Sequence, residues 1–301
     1  MKFSYRKCVT LHIIEYKTSV ENIKHLFMKR IYTLLLSLLA LCAGYAQTDG
    51  EEGRRGEVKG TPFMGLIKDE AAYLGVHMRV MNRIGVLMSS RMYAQAVEAI
   101  DSFRKESRDV WGREMPEYML ICRGDALAHM DRWAETVETL DECLRLGNPK
   151  SDTDLSFIYN LKGFAQVEMK EYRQAVESYK SAMTCSMKRD AMGDVADACC
   201  NMAYCYMLMD RTLMAQTFYE RGLDTFMDYF HTSYAYLLKH ELQVSDRYRR
   251  RRKSNFADHL YGMALLEEKN RNRKAMRKYL RMSANCGSEL AQREYRRLYG
   301  D

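Results

Sequence analysis

Cys199, Cys200 and Cys205 crowd into the stretch CCNMAYC and invite a metal reading. Chelation from one helix needs ligands a turn apart, at i and i+4, and no pair of these three has that spacing. No CxxC occurs anywhere in the sequence. His240-Glu241 opens like HExxH, but Val244 stands where the second histidine is required. GxSxG, P-loop and GxGxxG patterns are absent. His129 and His259 sit alone on helical stretches, and nothing singles out a carboxylate pair for acid–base work. These residues predict no catalytic site, no metal and no cofactor. The remaining charged feature is RYRRRRKS, with Arg247, Arg249, Arg250, Arg251, Arg252 and Lys253 around Tyr248. Six cations in so short a run can grip phosphates, which makes them a candidate anion-binding set. The bland alternative is a solvated helix end, with cations near the C-terminal dipole.

The elements that would carry these residues follow from composition and pattern. The chain has 301 residues, 47% hydrophobic and 29% charged, with three prolines, enough for a substantial core. Abundant Met, Leu, Ala, Glu, Lys and Arg, with few β-branched runs, predict an all-α protein. Pro62, Pro116 and Pro149 fall at expected connections.

Residues 28–46, MKRIYTLLLSLLALCAGYA, have the plan of a secretory signal: Lys29 and Arg30, an apolar run from Ile31 to Ala43, then small residues before Gln47. Residues 1–27 read as an extension upstream of a start at Met28. The expected location is the periplasm or cell envelope of a bacterium, with an uncleaved N-terminal anchor as the alternative. Residues 47–69 open with QTDGEEGRRGEVKGTP and are expected to be a flexible linker. Beyond residue 46 the net charge is +2, against +7 for the whole chain. It is unevenly spread: residues 245–301 carry 16 Lys/Arg against 7 Asp/Glu, and residues 47–244 carry 24 against 31. Such asymmetry concerns partners, not fold. Seven cysteines remain there, an odd number, and they read mainly as small core residues.

Self-comparison supplies the architecture. LICRGDALAHMDRWAETVETLDEC, YNLKGFAQVEMKEYRQAVESYKSA and CCNMAYCYMLMDRTLMAQTFYERG align. A small residue recurs as Gly124, Gly163 and Ala203. Twelve positions on come Thr136, Ala175 and Ala215, then large Leu140, Tyr179 and Tyr219, then Cys143, Ala182 and Gly222. A weaker copy holds Gly85, Tyr93, Ala96, Ile100 and Phe103. Each unit reads as two helices joined by a short turn, near Arg91-Met92, Asp131-Arg132, Lys170-Glu171 and Asp210-Arg211. The small residues are expected where the two helices cross, and the large ones are expected to fill the gap to the next unit.

This pattern resembles the tetratricopeptide-repeat family, most closely over residues 159–182, with Tyr159, Gly163, Tyr172, Ala175, Tyr179 and Ala182 in the family's places. The period departs from it, since Thr136, Ala175 and Ala215 are spaced by 39 and 40. The tail, with Gly262, Ala275, Tyr279, Ala284, Gly287 and Ala291, resembles the related Sel1-like repeat. The resemblance implies a helix-turn-helix solenoid in a right-handed superhelix. Residues 70–225 would be four helix pairs, 226–255 a long connecting helix with a basic end, and 256–301 a Sel1-like cap.

It further implies a non-catalytic scaffold or adaptor that binds a protein or peptide in a concave groove. By the family's geometry that groove takes Ile121 and Asp125, Asn160 and Phe164, Cys200 and Tyr204, extended by Asn82 and Val86. Packing of Phe164 and Tyr204 between neighbouring helices is the competing expectation. The groove lacks the basic residues of repeats that clamp chaperone C-termini. The alternative function is a surface that binds a phosphate-bearing lipid, lipopolysaccharide or polymer through the basic run, with nucleic acid a poor fit for an exported protein.

Overall fold

The computed structural model describes residues 62–146, 151–245 and 247–300. The expected extension, leader and most of the expected linker lie outside them. Among the described residues the chain is all-α, twelve helices and no strand. It divides into two compact units, one ending at Met115 and the other starting at Pro116.

The first unit is the pair α1 (Pro62–Ser89) and α2 (Tyr93–Trp111). Proline suits a first helical position, where its missing N–H has no partner to lose. The helix therefore starts at Pro62, not at residue 70 as expected from the linker boundary. Met81, Ile84, Leu87 and Met88 form its buried stripe against Ala96, Val97, Ile100 and Phe103 of α2. Tyr73 meets the edge of Trp111 with ring centroids 5.8 Å apart, and His77 stacks on Phe103 at 5.7 Å. Gly112, at φ 58°, ends α2, and the Arg113 guanidinium caps the cluster 4.4 Å above the Tyr73 ring while pairing with Glu70.

The second unit contains α3 (Glu117–His129), α4 (Trp133–Arg145), α5 (Asp152–Glu168), α6 (Tyr172–Lys188), α7 (Met192–Leu208), α8 (Thr212–Phe230), α9 (Tyr234–Leu237), α10 (Arg247–Lys269), α11 (Arg273–Asn285) and α12 (Glu289–Tyr299). Helices pack in chain order: α3 on α4, α5 on α6, α7 on α8, α10 on α11, with α12 against α11. Between pairs, α4 meets α5, α6 meets α7 and α8 meets α10, while first helices touch directly at α3–α5 and α7–α10. Sequential stacking of this kind is what an all-α repeat solenoid requires, because one pair cannot cover its own apolar face.

The turn inside each pair is the same device throughout. Arg91, Asp131, Lys170, Asp210 and Arg271 all take left-handed backbone, with φ between 58° and 64°. The next residue donates its N–H to the carbonyl five positions back: Met92 to Leu87, Arg132 to Leu127, Glu171 to Gln166, Arg211 to Tyr206, Asn272 to Glu267, all at 2.8–3.0 Å. This closes the last turn of the first helix and aims the second one back along it. Four of these turns fall where the sequence placed them.

The small residues occupy the crossings in part. A Cβ added to Gly124 would stand 2.8 Å from Leu140 Cδ2, and one on Gly163 2.8 Å from Tyr179 Cε1. Thr136, Ala175 and Ala215 are fully buried. Two expectations need correction. Nothing lies within 4 Å of a Cβ on Gly85, so the first pair does not cross there. The large residues also cover the small ones within their own pair, as Leu140 and Tyr179 do, besides reaching onward. Tyr219 reaches furthest, to Gly262 of the last pair, where a Cβ would meet its hydroxyl.

Residues 226–255 are not one helix. α8 ends at His231, in left-handed backbone at φ 51°, with the Thr232 N–H bonded to Met227 O at 3.0 Å. Ser233 then caps the short α9 by accepting from the Tyr236 N–H. The apolar residues that suggested continuity are still used: Leu237 and Leu242 are buried. Asn285 fastens this stretch to α11, its Nδ2 donating to Leu237 O at 2.6 Å and its carbonyl accepting from the Leu242 N–H at 3.1 Å. The basic run consequently begins a helix, and the last pair starts at Arg247.

Candidate functional site

The expected groove residues sort by how the pairs pack. In the first unit Asn82 is exposed and Val86 is 63% exposed. In the second, Ile121, Asn160 and Tyr204 are partly buried, and Asp125, Phe164 and Cys200 are buried. Cys200 cannot line a groove: it points at α8, where its Sγ lies 2.4 Å from the place a Gly222 Cβ would take. Phe164 is also internal, packing edge-on against Trp133 at 5.3 Å and 85°. The competing expectation therefore holds for Phe164, because α4 and α5 close over that position. Burial, with Glu168, Tyr172 and Cys205 adding to it, raises the Tyr204 phenol above its usual range.

The first helices carry buried polar atoms that make no side-chain hydrogen bond. Asn160 Oδ1 on α5 and Asp125 Oδ1 on α3 are buried and accept no hydrogen bond. His129 Nε2 stands 3.7 Å from Asp125 Oδ1, beyond hydrogen-bonding distance. Burial drives the Asp125 carboxyl well above the usual carboxylate range, and Arg251 of α10 draws it back only in part.

The basic run is largely internal. Arg252 grips Asp194 and Asp197 of α7 with its two terminal nitrogens, and its side chain is 13% exposed. Asp197 also accepts from Asn255 Nδ2 at 3.0 Å and faces His259 Nε2 at 3.1 Å. Burial alone would raise the Asp197 carboxyl, but Arg252, His259 and Asn255 outweigh it and hold the group below its ordinary value. Arg249 donates to Tyr229 O at 2.8 Å and lies over the Tyr229 and Phe230 rings. Arg250 is exposed, whereas Arg251 and Lys253 are partly buried; the Arg247 side chain lies outside the described ones. Cations at a helix N-terminus oppose the macrodipole, so these carboxylates and carbonyls are what make the start of α10 tolerable. Nothing in the local sequence announces this network, because Asp194 and Asp197 lie more than fifty positions upstream.

A hollow of about 470 Å³ opens beside it, lined by Asp190, Asp194, Asp228, Tyr229, His231 and Arg249 among others. Among the described residues no three metal-capable side chains converge, and no helix is long and apolar enough to cross a membrane. All seven described cysteines are free thiols, six of them buried. Burial pushes the Cys205 and Cys286 thiols up to about 12, away from the reactive range. No family model matches this sequence, and none of the curated proteins compared with it does.

Proposed function

We propose that the chain is a tetratricopeptide-like solenoid with a Sel1-like last pair, wound as a right-handed superhelix, and that it serves as a non-catalytic scaffold. The observation that carries this is the recurrence of one turn geometry in five pairs, with small-on-large crossings at Gly124 and Gly163. Such pairs place their first helices side by side and leave an inner face whose residues are not consumed by the stack. A protein or peptide segment lies along that face, anchored on Ile121 and Tyr204 with Asn160 between them.

Because Phe164 belongs to the core, the test uses the more open positions. Ile121→Arg with Asn160→Arg should abolish capture of the principal partner crosslinked in native cells, with the helical circular dichroism unchanged. Undiminished capture by a folded double variant refutes the groove. On the same reading residues 28–46 direct export to the cell envelope. The mature N-terminus should then lie near Gln47, and an intact Met1 or Met28 in purified protein overturns the export.

A further inference from the structure

α11 carries Arg273, Lys274, Arg277, Lys278 and Arg281 and no carboxylate. At about 100° per residue the five fall within an arc of about 140°, away from the buried Met276, Leu280 and Ser283. Four of them are exposed and Lys278 is partly buried. The second helices of earlier pairs mix their signs, as α6 does with Arg173, Glu177 and Lys180 and α8 with Glu220, Arg221 and Asp224. Among the described residues none of the five cations of α11 pairs with a carboxylate. The acids nearby are engaged elsewhere: on α12 Glu289 pairs with Arg293 and Glu294 with Arg297, and Asp224 accepts from the Tyr234 hydroxyl. Such a face works against its own helix. Arg273 with Arg277, Lys274 with Lys278 and Arg277 with Arg281 are like charges one turn apart. Arg273 and Lys274 also oppose the dipole at the N-terminal end. An anion brought from outside relieves both penalties.

The surroundings say which kind of anion. The cations stand on the outward arc of a helix, whereas proteins that hold a nucleic-acid strand track it in a groove with free aromatic rings. Here the rings are already covered. The Arg277 guanidinium lies 4.7 Å from the Tyr299 ring centre and 5.9 Å from that of Tyr295. The Lys278 ammonium lies 4.8 Å from Tyr234 and 5.2 Å from Tyr279. Tyrosine beneath a layer of cations is an arrangement suited to the headgroup level of a bilayer. We infer that the outward face of α11, with the Tyr295 and Tyr299 edge of α12, docks on an anionic lipid surface. No described helix is long and apolar enough to cross a membrane, so the contact is peripheral. It uses a second helix, apart from the inner face of the first helices, and does not depend on the partner proposed there. Anionic headgroups diffuse laterally and gather under cations fixed on one arc, so charge governs the attraction more than side-chain shape.

Co-sedimentation with vesicles of phosphatidylcholine alone, or with about 30% phosphatidylglycerol added, reads this surface. Wild-type protein should bind the anionic vesicles and release them as salt rises from about 0.1 M to about 0.5 M. Each cation at a lipid surface contributes about fivefold, so Arg273→Gln with Arg277→Gln and Arg281→Gln should weaken binding about a hundredfold. The melting temperature of that variant should not fall, because like-charge repulsion is relieved. Lysine at the same three positions should keep binding within about twofold, which separates lost charge from lost structure. Arg211→Gln with Arg221→Gln and Lys239→Gln removes the same net charge from exposed positions elsewhere, and should weaken binding about threefold or less. Equal binding to neutral vesicles, no binding to anionic ones, retention in the α11 glutamine variant, loss in the lysine variant, or a matching loss in the control variant each overturns the inference. So does a single-stranded oligonucleotide that displaces the protein from vesicles at equal phosphate concentration, which would make the face a nucleic-acid site.

Discussion

Gly222→Ala and Gly85→Ala are the same chemical change, and the packing gives them opposite signs. Alanine gains about 1 kcal/mol over glycine inside a helix. At Gly85 nothing lies within 4 Å of the new methyl, so that gain should be realised and stability should rise by up to about 1 kcal/mol. At Gly222 the methyl would stand 2.4 Å from Cys200 Sγ, 3.0 Å from the Ala196 carbonyl oxygen and 3.2 Å from Cys199 Cβ. Two of those three atoms are fixed to the α7 backbone, so no rotamer change relieves them, and α7 and α8 must move apart. Overpacking of this kind costs about 1–3 kcal/mol, and the rigid neighbours place it in the upper half of that range. After the propensity gain, the net loss is about 1–2 kcal/mol. Urea unfolding followed by far-UV circular dichroism reads both, as midpoint shifts in opposite directions at unchanged slope. Cys200→Ala in the Gly222→Ala background should recover part of the loss, because Sγ is the nearest obstacle. A Gly222→Ala protein as stable as the wild type would refute the account of the crossings, as would a Gly85→Ala protein that loses as much as Gly222→Ala.

Asp197→Asn should cost about 2–4 kcal/mol at neutral pH, since it leaves Arg252 buried against a weaker acceptor. Its folded-state carboxyl sits below the ordinary value, so the stabilisation is complete above about pH 3.9 and disappears as pH falls through the lower folded value. Urea midpoints for wild type and variant should therefore converge in strong acid; an equal gap at both pH values counts against the network. Lys170→Gly should stabilise by about 0.5–1 kcal/mol, because a side chain at φ 64° is strained and glycine is not. A lower melting temperature for that variant would mean that the Lys170 side chain contributes more than its backbone costs.

The fold was legible where the cause is local. The turns at Asp131, Lys170 and Asp210 follow from the spacing between one helix's small residue and the next helix's, and Gly124 and Gly163 meet the large residues found sixteen positions on. Legibility failed where the cause lies elsewhere in the chain. Gly85 stands eleven residues before Ala96 where the other copies have twelve, and a shift of one position turns it about 100° around the helix, away from the contact. His231 breaks a stretch whose apolar residues continue, because Ser233 caps a new helix and Asn285 holds the strap between them. The arginine run looked like an exposed cationic surface until Asp194 and Asp197 were placed against Arg252. Of the groove, Ile121 and Asn160 remain partly open, while Cys200 and Phe164 went to the interior through partners, Gly222 and Trp133, that their own neighbourhoods do not reveal.

The elbow within each pair is also used between α6 and α7, where Asp190 has φ 55° and the Ala191 N–H bonds to Ser186 O at 3.0 Å, whereas the other links between pairs differ in length. Those others are Gly112 to Pro116, the stretch opening α5 at Ser151, and the strap from His231 to Ser245. Length variation is thus quarantined at the outer joints, and the hinge inside every module is standard. A chain assembled this way can gain or lose a whole module by cutting at two elbows, with matching ends already made.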